Sequence, residues 1–97
     1  MFDIGDRVVV SRGFTQDSYR FKPGDKGTIL AYDKFRILVE WDFENTWFHN
    51  GGQYCRALDK DVYGKDKHCY YIEDYRVEYL KIIPKKRRNG GFYSECD

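Results

Sequence analysis

The chain has 97 residues, 17 Lys/Arg against 16 Asp/Glu, and a net charge of +1. That length holds one small domain, and so even a charge excludes a global field that would draw the molecule onto nucleic acid or an acidic membrane. No apolar run approaches the roughly 20 residues that cross a bilayer, no signal-peptide pattern opens the chain, and three cysteines, an odd number, suit a reduced cytoplasmic protein better than a secreted disulfide framework.

Two Trp, nine Tyr and seven Phe supply the large side chains that a small core needs. The excess of Tyr fits half-buried pleated surfaces, so strands are expected rather than helices. In chain order, Gly5-Asp6 opens a β-branched run, Arg7 to Ser11, which reads as a first strand. Residues 12–24 show no clean period and are read as an excursion loop, with Phe14, Tyr19 and Phe21 folding back over the core. Pro23-Gly24-Asp25 is turn punctuation. Lys26 to Tyr32 is a second strand, with Gly27 at the position of a bulge or sharp bend. Asp33-Lys34 links it to Phe35–Trp41, the strongest strand pattern in the chain. Phe35, Ile37, Val39 and Trp41 share one face there, and Arg36 and Glu40 share the other.

Residues 42–68 carry no convincing period and are read as one long loop. Loops of that length inside compact domains are uncommon and usually functional; the aromatics Phe43, Trp47, Phe48, Tyr54 and Tyr63 argue that this one is ordered. Cys69–Ile72 is a short strand, residues 73–79 hold a 3₁₀ turn, and Leu80–Ile83 is a last strand ended by Pro84. The charge is unevenly spread: residues 1–83 carry 13 Lys/Arg and 14 Asp/Glu, while 84–97 carry four and two. The expected organisation is therefore one domain over 1–83 and a basic flexible tail over 84–97.

Five short strands, a long excursion after the first, a tight hairpin and a helical turn before the last resemble the small Src-homology-3-type barrel. The carriers are Gly5-Asp6-Arg7-Val8-Val9-Val10, the Gly24–Ile29 segment, Val39-Glu40-Trp41-Asp42 and the aromatics preceding Leu80. The resemblance implies an all-β fold: a small five-stranded SH3-like (Tudor- or KOW-like) barrel with a long inserted loop and one 3₁₀ turn before its last strand. His49-Asn50-Gly51-Gly52 followed by Gly64-Lys65-Asp66-Lys67-His68-Cys69-Tyr70-Tyr71-Ile72 is similar to a pattern in small uncharacterised bacteriophage and prophage proteins. Their usual form is His-Asp-Gly, then Gly-Lys-Asp-Gly-His-Cys-Trp-Trp-Val, so Asn50, Lys67 and the Tyr pair depart from it. This second resemblance implies phage origin and the same barrel, and carries no assigned activity.

Few constellations suggest chemistry. His49, Cys55, His68 and Cys69 are the right types for tetrahedral zinc, but the usual paired spacing is absent, and adjacent His68 and Cys69 in a strand would face opposite ways. Cys69 reads instead as a small core residue, and His68 as a hydrogen-bonding pin across the long loop towards His49. A Cys55–His49 nucleophilic pair lacks an orienting carboxylate. Glu40, Asp42 and Glu44 alternate, as solvated acidic faces do. No cofactor or metal is expected, and no catalysis.

The composition thus points to a binding protein. Tyr19, Trp47, His49, Tyr54 and Arg56 are the candidate contact residues, since Trp, Tyr and Arg anchor protein interfaces and such frames bind through loops. The leading expectation is a phage-encoded, non-enzymatic protein acting in the host cytosol against a host protein, as a counter-defence inhibitor, monomeric or homodimeric and without a membrane partner. One alternative is nucleic-acid binding through Lys85, Lys86, Arg87 and Arg88 with the aromatic loop. Another is an oligomeric sponge for an anionic signalling nucleotide, using Arg20, Arg56 or Arg76 for phosphate.

Overall fold

A computed structural model describes residues 2–84 and contains nine strands. They are β1 (Arg7–Val10), β2 (Phe14–Gln16), β3 (Tyr19–Phe21), β4 (Lys26–Tyr32), β5 (Arg36–Trp41), β6 (Gly51–Cys55), β7 (Lys60–Tyr63), β8 (Cys69–Glu73) and β9 (Leu80–Ile82), with a 3₁₀ turn over Asp74–Tyr79. Five of them form one antiparallel sheet in the order β8-β5-β4-β1-β9; β2 with β3 and β6 with β7 form two separate hairpins. The all-β expectation holds, and the sheet has the five strands expected. Its hydrogen-bonded ladder does not close on itself among the described residues.

Alternation builds the sheet. Val8 and Val10 of β1, Ile29 of β4, Ile37, Val39 and Trp41 of β5, Ile72 of β8 and Leu80 of β9 all turn to one buried cluster. The β2–β3 hairpin caps that cluster with Phe14 and Phe21, whose rings stack at 5.0 Å, and Phe21 also meets Trp41 at 4.9 Å. The opposite face of β4, β5 and β8 is covered as well. Ala31, Leu38, Cys55 and Cys69 form a second buried cluster, with Leu30, Val62 and Tyr71 packed against it, so the β6–β7 hairpin lies over that side. The middle of the sheet is therefore buried on both faces.

Several expectations change. Residues 12–24, read as an excursion loop folding back over the core, contain a hairpin, β2 paired with β3. Asp17 and Ser18 both take left-handed backbone (φ 51° and 70°), the geometry of a two-residue hairpin turn, without the glycine that usually signals it. Residues 42–68 contain the second hairpin, which begins on two left-handed glycines, Gly51 and Gly52 (φ 97° and 96°), the second of them bulged out of the pairing with β7. Gly27 sits in regular register between Val8 and Trp41; it is glycine because a Cβ would come 2.6 Å from Val39 Cγ1 and 2.9 Å from the Glu40 carbonyl oxygen. The bulge falls at Leu30 instead. Phe35 leaves the inward face of β5: the Asp33 carboxylate accepts the backbone N–H of Phe35 (2.7 Å) and of Arg36 (3.0 Å), and this turn leaves Phe35 73% exposed. The last strand closes one residue earlier than read. The basic run Lys85–Arg88, and with it the tail over 84–97 beyond Pro84, lies outside the described residues.

The outer edge of β8 is sealed by both excursions. His49 N–H donates to the Cys69 carbonyl at 2.9 Å, and Cys69 N–H returns a bond to His49 at 2.9 Å. Further along, buried Gln16 donates from Nε2 to the Tyr71 carbonyl at 2.7 Å and accepts the Glu73 N–H on Oε1 at 3.3 Å. One side-chain amide thus stands in for a neighbouring strand. Gln16→Leu keeps the volume and removes both bonds, leaving half-buried backbone groups unpaired; a loss of about 1–3 kcal/mol in unfolding free energy is expected by urea titration. An unchanged midpoint would show that the edge does not depend on this amide.

Candidate functional site

The segment between β5 and β6 begins with acids that are individually committed. The Arg7 guanidinium bonds to Thr28 Oγ1 at 3.0 Å and to Asp42 Oδ1 at 2.7 Å, and holds the Asp42 carboxyl below the usual carboxylate range. Glu40 accepts the Lys65 N–H at 2.7 Å. Glu44 is exposed. Glu40 and Asp42 thus each serve a structural donor, Lys65 N–H and the Arg7 guanidinium.

Next, Asn45 shapes a tight turn: its Oδ1 accepts the Trp47 N–H at 2.8 Å, its carbonyl accepts the Phe48 N–H at 2.9 Å, and its own N–H donates to Lys67 at 2.8 Å. Phe48 points inward, with its ring 5.1 Å from Tyr19 and 5.3 Å from Tyr70. Trp47 points outward and is 75% exposed. Tyr19 is half-buried beneath this turn against Phe21, Phe43 and Phe48, and serves the core more than the surface.

His49 is half-buried, with ring centroids 5.0 Å from Tyr71 and 5.8 Å from Tyr70. Its Nδ1 accepts the Gly51 N–H at 2.9 Å. Burial, with the nearby Arg36 charge, holds its pKa below the ordinary histidine value. His68 is committed elsewhere than His49: its Nδ1 lies 2.8 Å from the Trp41 carbonyl, and it and its neighbour Cys69 are both buried, because the sheet is covered on both faces. Cys55 and Cys69 share the second cluster as free thiols. Burial, with Glu40 next in weight, pushes the Cys69 thiol up to about 11, so it stays protonated at neutral pH, a poor nucleophile or metal ligand. Among the described residues, no three His, Cys, Asp or Glu side chains gather as a metal-holding group.

The remaining candidates, Tyr54 and Arg56, meet at a half-open cleft of about 400 Å³ between β6 and the turn joining β4 to β5. Lys34, Phe35, Arg36 and Gln53 line it with them. Tyr54 is 50% exposed, and its phenol donates to Asp59. Arg36 lies with its guanidinium carbon 4.1 Å from the Tyr71 ring centroid. Gln53 is only 3% exposed, yet neither its Nε2 nor its Oε1 finds a hydrogen-bond partner among the described residues. Leaving a buried amide unmade costs about 1–3 kcal/mol. Of the other arginines read as phosphate candidates, Arg20 is exposed on β3, and Arg76 rests against Tyr75 and Phe14 with Glu73 at 3.7 Å. Neither lines this cleft with Arg56.

A larger groove of about 500 Å³ lies across the molecule's 3₁₀ turn, with Tyr32, Ile37, Val77 and Leu80 as its apolar lining and Asp74 and Glu78 among its polar residues. It holds no buried polar atom lacking a partner among the described residues. Trp47, Tyr54 and Arg56 were legible from residue type alone. Phe35, exposed only through the Asp33 turn, and Gln53, an unremarkable polar residue within a loop-like stretch, were not. No family model, no curated protein and no solved structure matches this chain.

The His49 contact predicts a pH dependence. The folded pKa lies below the unfolded value of 6.5, so this stabilisation is present above that value and is lost as pH falls beneath it. His49→Asn can accept the same Gly51 N–H through a side-chain oxygen that does not titrate. Between about pH 7 and pH 5, the urea midpoint of the natural chain is expected to fall further than that of the variant; parallel slopes would remove His49 as the cause.

Proposed function

We propose that this chain is a non-catalytic protein-binding module of the Src-homology-3 type, whose Trp47 turn docks on the surface of another protein. The strand order β8-β5-β4-β1-β9 with a 3₁₀ turn before the last strand supports that fold. The observation that carries the functional reading is Trp47 itself: a 75% exposed indole held on a backbone fixed by Asn45 and anchored beneath by buried Phe48. Exposed Trp on a preorganised turn loses little entropy on docking, which is what distinguishes interface anchors from incidental apolar surface. The phage resemblance of the His49 and Gly64–Ile72 segments makes a host cytosolic protein the partner to seek first, with inhibition of a host defence as the effect.

Trp47→Ala should leave stability within about 0.5 kcal/mol, as surface changes do, while Phe48→Ala, its inward neighbour, should cost about 3–5 kcal/mol. Affinity capture from host lysate with quantitative mass spectrometry is expected to recover a partner with the natural chain, and about thirtyfold less of it with Trp47→Ala, the weight of an interface anchor. Equal recovery by the folded variant would reject this turn as the contact.

A further inference from the structure

The cleft beside Tyr54 and Arg56 combines two features that no protein-docking role for Trp47 requires. The first is charge. Lys34, Arg36 and Arg56 bring three cations to its lining, and Asp33 is the one carboxylate among the described residues that line it. Asp33 is already committed, accepting two backbone N–H groups on Oδ1 and lying 4.0 Å from Arg36 through Oδ2. Lys34 and Arg56 form no ion pair among the described residues. Arg36 is steadied against Tyr71, so its fork is held in place before any ligand arrives. A site with that balance attracts an anion, and phosphate is the anion that a guanidinium fork fits best.

The second feature is aromatic surface. Phe35 and Tyr54 are 73% and 50% exposed, and both line the same cleft. Rings left in water beside cations offer faces on which a planar base can stack, whatever its identity. Gly52 contributes backbone and no side chain to the wall, and the volume of about 400 Å³ falls in the range of small-molecule clefts.

We propose that this cleft binds a free nucleoside monophosphate, with the phosphate on Lys34, Arg36 and Arg56 and the base on Phe35 and Tyr54. The site does not depend on the Trp47 surface, and each can fail without the other.

Calorimetric titration of the 97-residue chain with AMP, GMP, UMP, adenosine and inorganic phosphate tests it. At least one monophosphate is expected to bind with a micromolar Kd, and adenosine or phosphate alone about tenfold or more weaker, because each retains half of the contacts. Arg56→Ala should weaken every phosphate-bearing ligand by about tenfold and leave adenosine unchanged. Phe35→Ala should weaken the nucleotides and spare inorganic phosphate. Arg56 and Phe35 are exposed, so their variants are expected to stay folded and keep the test sharp. Affinity that simply follows ligand charge, nucleotide binding unaltered in both exposed variants, or binding to a short single-stranded oligonucleotide with none to the monophosphates would each overturn the proposal.

Discussion

The outer edge of β8 is the constraint on which the arrangement turns. A sheet edge presents unpaired N–H and carbonyl groups, and burying them without partners is costly. This protein meets the demand with two bonds from the His49 backbone and two from the Gln16 side chain. Those residues belong to the two long excursions from the sheet, so one edge gathers both. The β2–β3 hairpin is tied further through Tyr70, whose phenol donates to Asp17 at 2.6 Å and is pushed up to about 12 by burial and by that carboxylate. Once His49 is fixed, the Trp47 turn before it and the Gly51-Gly52 strand after it have defined starting points. The candidate contact surface and the cleft are both positioned by this edge.

Two-sided burial follows from the same geometry. With one hairpin over each face, Leu38 is as buried as Val39, although they point in opposite directions. This is why β5 reads as an alternating strand flanked by polar residues at Arg36 and Glu40, yet behaves as a central one. Close approach on the second face is enforced by Gly64, where a Cβ would lie 2.5 Å from Leu30 Cδ1 and 2.7 Å from both Cys69 Sγ and Glu40 Oε2. Titratable groups near these contacts are largely absorbed by structure: Asp42 by Arg7, Glu40 by Lys65, His68 by Trp41. The cations of the β4–β5 turn and of the β6–β7 hairpin are placed differently, around an opening.

The sheet strands were legible because side-chain period and burial agree in them, as at Val8 and Val10 and at Ile37 and Val39. The hairpins were hidden for identifiable reasons. β2 and β3 are three residues each, too short for a period to register, and their turn is Asp17-Ser18, where left-handed backbone is carried by ordinary side chains. β6 begins with two glycines, residues that sequence reading assigns to loops, and its inward positions are Gln53 and Cys55, of which the first is polar. Phe35 misled because apolar alternation predicts facing only while the backbone stays extended, and the Asp33 carboxylate ends that extension one residue earlier. At the candidate site, aromatic and basic residue types single out Trp47, Tyr54 and Arg56, and the structure leaves all three exposed. Nothing in the sequence signals that Gln53 would be enclosed without a partner, since that is a property of the packed hairpin.

The tip of the β6–β7 hairpin, residues 56–59, is exposed along its whole length, whereas its base is held by Gly51, in left-handed backbone (φ 97°), and by Gly64, which leaves no room for a Cβ. Chain length at such a tip can grow at little entropic cost, because closure entropy rises only logarithmically. Variation therefore has an obvious outlet in this molecule. Insertions or exchanges around Arg56 can reshape what the cleft admits while the sheet beneath keeps its register, so recognition and architecture are free to diverge at different rates over evolutionary time.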